Sequence, residues 1–262
     1  MKIIKLFTVI LAFFMVSTGF AQEKKNQAFL IHEDQVNPSM LKEYEQVSKD
    51  FVKACQQYKP EGIDWSTASM DNGRYLSISP IEKLSDIEEM SYAPLIEKMG
   101  EDEFRAMLDR FNKCYDKHGS YVVVLNEPLS YMPDGLDPET PGENYRKWHK
   151  MEVSASNVPQ LREKMIALKD LFERKGSKMY YRIYHNGFGN IGDYYVAVIS
   201  AKDAIDYAKK SAENQKLLGE EGEKAFEEMM QYVSSYEVTS GEMRPDLSYQ
   251  APKTTTITEV KQ

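Results

Sequence analysis

The sequence predicts an α+β chain of two tandem βαββαβ units, each with both helices on one face of an antiparallel sheet, closing their bare sheet faces against each other. Three observations predict it: an internal repeat at an offset near 120, one order of periodicities in both halves, and a junction that disfavours helix and strand alike. Asn37, Pro38, Ser39, Met40, Leu41 returns loosely as Asn157, Val158, Pro159, Gln160, Leu161, and Lys49, Asp50, Phe51 meets Lys169, Asp170, Leu171, both at a shift of 120. Tyr75, Leu76, Ser77, Ile78 meets Tyr195, Val196, Ala197, Val198 at the same shift. Met99, Gly100, Glu101 matches Leu218, Gly219, Glu220 at 119, and Leu129, Ser130, Tyr131 matches Leu247, Ser248, Tyr249 at 118. One such match is cheap; five in order at nearly one offset are not.

Within each copy the periodicities run in the same order. Ala28 to Val36 and Trp148 to Ala155 read as opening strands. Leu41, Tyr44, Ser48, Phe51 and Cys55, like Leu161, Met165, Leu168 and Phe172, recur at helical spacing with charge between them. Ile63 to Met70 with Gly73 to Ser79, and Met179 to His185 with Asp193 to Ser200, read as strand pairs joined by turns rich in Asn and Gly. Phe104, Met107, Leu108 and Phe111 mark the second helix, as do Phe226, Met229, Met230 and Val233. Tyr121 to Leu125 and about Ser235 to Glu242 close the copies as final strands. The repeats therefore occupy 22–131 and 145–249, the Pro- and Gly-rich acidic linker 132–144, and a polar, threonine-rich flexible tail 250–262.

The chain has 262 residues, 42% of them hydrophobic, and a formal net charge of -8. That composition supports a folded core and excludes a disordered or disulfide-stapled chain. The negative charge, without any basic stripe, excludes nucleic acid as a partner. At the N-terminus, Lys2 and Lys5 precede an apolar run from Leu6 to Val16, followed by small Gly19 and Ala21 before polar Gln22. This is the order of a secretory signal peptide over residues 1–21, too short in its apolar block to be a spanning helix. Its removal takes two lysines and no acids from 33 basic and 41 acidic side chains, leaving a mature net of -10. The expectation is an exported protein, periplasmic or extracellular, with no integral membrane segment in the mature chain.

By its duplicated element order the chain resembles the dimeric α/β-barrel superfamily of ferredoxin-like units, which includes stress-responsive barrel proteins and antibiotic-biosynthesis-type monooxygenases. The resemblance covers residues 27 to 249 and rests on element order, not on a diagnostic motif. It implies two tandem ferredoxin-like βαββαβ repeats packed sheet to sheet as an intramolecular α/β barrel. Most members pair as homodimers, so a chain carrying both units is expected to be a monomer or a weak homodimer, with a site whose halves differ.

Alternation along the strands then assigns faces. His149, Met151, Val153 and Ala155 form the more apolar side of their strand and are expected under the helices, leaving Trp148, Lys150, Glu152 and Ser154 on the lumen. Carried across by the shift of 120, Phe29 and Ile31 join the helix side and His32 and Asp34 the lumen. Leu76, Ile78, Val196 and Val198 form an apolar helix-side set, which turns Tyr75 and Tyr195 inward. In the aromatic stretch Tyr180 to His185, Tyr180, Arg182 and Tyr184 share a face and add a cation and two phenols to the lumen. The ligand-binding candidates are thus His32, Tyr75, Glu152, Arg182, Tyr184 and Tyr195. If His32 and Glu152 meet, the carboxylate favours a charged imidazole, and the pair acts as a base on an acidic phenol or hydrogen-bonds a polar ligand. The alternatives are a satisfied structural pair, or two groups kept apart by strand register. Aromatic walls with a few polar tips suit a small hydrophobic or aromatic ligand, and equally a plain core.

Other signals are weaker. Export would favour a disulfide between Cys55 and Cys114, but both lie near the C-terminal ends of helices expected to run antiparallel, beyond the roughly 7 Å that a disulfide spans, which favours two buried thiols. His32, His118, His149 and His185 show no HExxH or other ligand spacing and no CxxC exists, so no metal site is indicated. The oxygenase branch of the resemblance uses a helix histidine to hold haem. Here the nearest equivalent is His118, expected at a helix end where capping carbonyls is the simpler role, so no cofactor is indicated. The resulting expectation is an exported barrel that binds a small molecule or partner in or near its lumen. The alternative is a cofactor-independent monooxygenase or isomerase-like enzyme acting on a phenolic or quinone-like substrate, which rests on the fold resemblance alone.

Overall fold

The computed structural model describes residues 27–135 and 141–251. The expected export signal over 1–21, residues 136–140 of the junction and the tail beyond 251 lie outside the described residues. The first repeat runs β1 (Ala28–Val36), α1 (Leu41–Tyr58), β2 (Ser66–Met70), β3 (Arg74–Ile81), the short α2 (Asp86–Glu89) and α3 (Ala93–Met99), then α4 (Glu101–Asn112) and β4 (Tyr115–Leu125). The second runs β5 (Tyr145–Val153), α5 (Val158–Lys175), β6 (Arg182–Asn186), β7 (Asp193–Ala201), α6 (Ala204–Met230) and β8 (Ser235–Met243). Both repeats keep the expected βαββαβ order, with the second helical segment of the first broken into three.

Eight strands close into one barrel in the order β1-β3-β2-β8-β5-β7-β6-β4, every pair antiparallel. Each repeat contributes four neighbouring strands, and the seams are β2 with β8 and β4 with β6. Closure removes the four strand edges that two open sheets would leave unpaired. The helices lie outside, where each repeat has its own helix-to-sheet core. Val52, Cys55, Trp65, Leu95 and Phe104 pack in the first, and Met151, Leu161, Met165, Phe172 and Leu218 in the second.

α1 and α5 are both 18 residues long, and Tyr44, Val47, Ala54 and Cys55 of α1 turn a buried stripe to the sheet. α5 stops at Gly176, whose left-handed φ of 64° ends the helix at no steric cost. Gly100 and Gly219, matched by the repeat, do the same work in the two halves. Gly100 (φ 100°, ψ 140°) separates α3 from α4, and Gly219 (φ 59°, ψ -154°) kinks α6. Each turns its helix so that two segments of different direction cover one sheet.

The matched Leu-Ser-Tyr segments close the seams. Ser130 Oγ donates to Asn126 O at 2.7 Å and accepts from Ile183 N at 2.9 Å. Ser248 Oγ likewise donates to Arg244 O at 2.7 Å and accepts from Thr67 N at 2.9 Å. Each repeat thus ends on a strap fastened to the other repeat.

The repeat offset is not uniform. Ile31 pairs with Ile78 as Trp148 pairs with Val198, so the opening strands correspond at a shift of 117 while β3 and β7 correspond at 120. The difference arises largely in the hairpin turn, Asp71 to Gly73 in the first repeat against Gly187 to Gly192 in the second. Its parity decides which face of β1 looks inward.

Cys55 and Cys114 are both buried and unbonded, and burial holds the Cys55 thiol at a pKa of about 12. Among the described residues no helix is long and apolar enough to cross a membrane.

Candidate functional site

The barrel encloses a cavity of about 1230 Å³, above the usual range for small-molecule sites. Alternate residues of the strands line it. A belt of Ile31, Leu76, Ile78, Val123, Trp148, Val196 and Val198 crosses its middle. This belt is as apolar as the helix-side cores, so both faces of these strands are greasy.

The two ends of the lumen are polar in different ways. At one end Arg146 and Arg182 face the cavity with Tyr184, whose ring meets Phe29 edge-on at 6.0 Å. The arginines are 6% and 4% exposed. Arg146 donates through Nη1 to the carbonyls of Glu143 and of Tyr145, the latter at 3.1 Å, and Arg182 Nη1 approaches Ser200 Oγ at 3.4 Å. Burial, and then the neighbouring Arg182, bring the Arg146 guanidinium down to a pKa of about 10, still charged at neutral pH. Burial pushes the Tyr184 phenol up while both arginines pull it back.

At the other end the polar side chains form a connected set. Arg74 bridges Glu237 at 3.3 Å and Glu33 at 3.8 Å, and Tyr121 donates its hydroxyl to Glu33 at 2.8 Å. Lys150 lies 4.8 Å over the Tyr194 ring, and Tyr194 donates to Asn190 at 2.7 Å. Glu33 answers Arg74 here, whereas the hydrogen bonds of Arg146 run to backbone carbonyls.

Of the expected site residues, Arg182 and Tyr184 line the lumen. His32, Tyr75 and Tyr195 do not: they lie on the outer face, and the inward positions belong to Phe29, Ile31, Leu76, Ile78, Val196 and Val198, which were expected under the helices. For β1 the reason is the odd offset of 117, which inverts the face that an even shift of 120 transfers from β5. For β3 and β7 it is that tyrosines serve the helix side, Tyr75 by donating to Glu45 of α1 at 2.8 Å and Tyr195 by joining the second core. Glu152 shares the inward face of β5 but sits at its last turn, half-exposed and paired with Lys150 at 2.8 Å. β1 and β5 are separated by three strands either way round the barrel, so His32 and Glu152 do not meet. Tyr180 precedes β6 and packs against the helix-side core. His118 lies in β4 and caps no helix.

Trp148 lies on the lumen face as expected, though it was not among the ligand-binding candidates, and Arg146 was not expected at all. The signal for Arg146 was present: Arg146, Trp148 and Lys150 alternate along β5, but the strand was read as starting at Trp148, three residues too late.

A second cavity, of about 380 Å³, lies between α5, α6 and the outer face of the second sheet, lined by Met151, Met165, Phe172 and Leu218. Its one imidazole, His149, is bonded on both nitrogens, Nδ1 to the Tyr236 hydroxyl at 2.6 Å and Nε2 to that of Tyr207 at 3.2 Å. Burial and then Lys147 lower it to a pKa of about 4, so it is neutral.

Neither cavity offers haem iron an imidazole, thiolate or phenolate to anchor it, and the methionines that line both serve iron as partners of a histidine. Among the described residues the lumen wall carries neither histidine nor cysteine. Its phenols Tyr121, Tyr184 and Tyr194 are all pushed up by burial and so held in the protonated form that ligates poorly. In the second cavity the ring nitrogens of His149 are already taken.

No protein-family model matches the chain, and no curated protein matches it in sequence. Solved structures do share its fold. An anthrone oxidase-like protein matches with a TM-score of 0.56 at 11% identity, over 84% of this chain and 92% of that one. A candidate monooxygenase from Fusobacterium nucleatum matches with 0.54 at 9%, over 84% and 93%. A substituted chlorite dismutase from Candidatus Nitrospira defluvii matches with 0.50 at 13%, over 84% and 92%. The chain therefore shares the α/β-barrel fold of these structures along most of each chain.

Proposed function

We propose that the barrel binds a small amphipathic anion, its acidic group toward Arg146 and Arg182 and its apolar or aromatic body along the belt, without performing chemistry on it. The observation that carries this reading is a pair of guanidiniums, 6% and 4% exposed, lining one end of a cavity whose middle is apolar. A carboxylate or sulfonate entering there gains charge-assisted hydrogen bonds in a low-dielectric setting, where they are strongest. The belt supplies the apolar surface that such a ligand needs to leave water. The alternative, a cofactor-independent monooxygenase or isomerase-like enzyme on a phenolic or quinone-like substrate, is the weaker reading. Its expected base was His32 paired with Glu152, and inside the lumen Glu33 is already engaged by Tyr121 and Arg74. Likeness to oxygenase-type barrels supports it through fold only.

The test is titration of the full chain with 8-anilinonaphthalene-1-sulfonate, an aromatic anion whose fluorescence reports burial. One equivalent should bind, and Arg146→Met, which keeps the volume and removes the charge, should weaken binding tenfold or more. Arg105→Met on the outer helices should leave it unchanged. Absence of binding by the unaltered chain, or equal binding by Arg146→Met, overturns the reading. Export from the cytoplasm is part of the same proposal, supported by the N-terminal sequence alone, and mass measurement of a secreted product beginning near Gln22 tests it.

A further inference from the structure

We propose that His32, Asp34 and His118 form a binding site for a divalent late first-row transition cation on the outer face of the barrel. The site is separate from the lumen and independent of what the lumen binds.

Strand pairing builds it. His32 and Asp34 stand two apart on β1 and so share a face, and across the ladder Asp34 is opposite His118 while His32 is opposite Ser120. One donor atom from each of His32, Asp34 and His118 lies within 4.8 Å of the others. The His32 and His118 rings are 5.6 Å apart, and His118 is exposed, which opens the site to solvent.

Three details distinguish this cluster from a chance meeting of polar groups. The Asp34 side chain is only 8% exposed, and its Oδ1 faces His32 Nε2 at 3.2 Å, an ion pair whenever His32 is protonated. A cation held between the two groups takes the place of that proton. The other Asp34 oxygen accepts from Tyr44 at 2.7 Å, which anchors the carboxylate with Oδ1 turned toward His32. Finally, His32 Nδ1 is 2.9 Å from Ser120 Oγ. With Nδ1–H donating to that hydroxyl, the Nε2 lone pair is presented toward Asp34, as an outer-sphere partner fixes a ligating imidazole.

The separation fits a shared cation. A metal about 2.1 Å from both Nε2 and Oδ1, the ordinary bond length to imidazole and carboxylate, subtends an angle of roughly 100° between them, within the tetrahedral-to-octahedral range. His118 has to swing inward by on the order of 1 Å to complete the triad, since two ligands on one such ion lie at most about 4.2 Å apart. Two imidazoles and one carboxylate favour zinc, copper, nickel or iron(II) over calcium or magnesium, which take oxygen sets. Water fills the remaining positions on the exposed side.

The experiment is calorimetric titration of the full chain, made without a histidine tag and stripped with chelator, using zinc chloride. One equivalent should bind. His118→Ala, at an exposed position that the fold does not need, and His32→Ala should each weaken binding on the order of ten- to a hundredfold, with circular dichroism confirming that both remain folded. Glu152→Gln, across the barrel, should bind as the unaltered chain does. The proposal is overturned if the unaltered chain takes up no zinc, if either histidine variant retains its affinity, or if Glu152→Gln loses as much as they do.

Discussion

Trp65 and Tyr249 exchange two backbone hydrogen bonds, of 2.9 and 3.0 Å, although one opens the hairpin of the first repeat and the other ends the second. Tyr131 and Tyr181 make the reciprocal exchange at 2.9 and 3.1 Å. The Trp65 indole adds a bond of 2.8 Å to the Leu247 carbonyl, and its ring lies 5.5 Å from that of Tyr249. The two halves of the barrel are therefore fastened by mutual exchange of their ends as well as by the seams between strands.

Ser248→Ala removes the hydroxyl that joins Arg244 O to Thr67 N and leaves a partly buried amide without its acceptor. The expected cost is about 1 to 3 kcal/mol. Urea denaturation reads it directly, and Ser130→Ala should cost a similar amount at the equivalent strap. A neutral result at both positions means the straps follow the fold without stabilising it.

Gly219→Ala places a side chain at φ 59° and ψ -154°, a region that only glycine occupies readily, although no atom lies within 4 Å of the added Cβ. The penalty is backbone strain, about 1 to 3 kcal/mol, unless α6 straightens and loses its grip on the sheet. Thermal melting should fall by several degrees. An unchanged melting temperature shows that the kink is not required.

His149 gives stability a pH dependence of known sign. Its folded pKa of about 4 lies below the ordinary 6.5, so between these values the unfolded chain takes up a proton that the folded chain refuses. The contribution is complete above pH 6.5 and is lost as pH falls toward 4. Urea midpoints measured from pH 7 down to 4.5 should decline, and His149→Gln, which keeps a polar partner for the tyrosines but cannot titrate, should decline less. Parallel curves for the two proteins remove His149 from the account.

Val198→Phe enlarges a lumen-facing residue opposite Trp148 and Arg182. Because the cavity has room, stability should change by less than about 1.5 kcal/mol, unlike an overpacked core. Binding of the aromatic sulfonate should nonetheless fall severalfold. Equal binding in this variant moves the ligand away from the belt.

Much of the fold was legible because periodicity and repetition are local properties of a chain. β1 lies over Ala28–Val36 as read, and the α4 stripe from Phe104 to Phe111 falls inside its helix. Orientation was harder. Alternation separates a greasy face from a polar one, but in this barrel Ile31 and Leu76 are as apolar inside as Met151 and Tyr195 are outside. Hydrophobicity therefore carries no sign there, and only register decides. The register depended on a few extra residues in one hairpin turn, which a loose repeat of five short matches did not locate. The His32, Asp34 and His118 grouping was invisible for a different reason: its members come from strands that meet only after the second helical segment of the repeat has crossed back.

Duplication inside one chain frees the barrel from having to be the same on both sides of its axis. The positions that correspond to Arg146 and Arg182 in the first repeat are Phe29 and Ser66, so the guanidinium pair occurs once. Identical subunits would have to present two such pairs, and a guest could enter either way round. Here the polarity of the chamber is set by divergence between the halves, and the anion proposed above would have one heading.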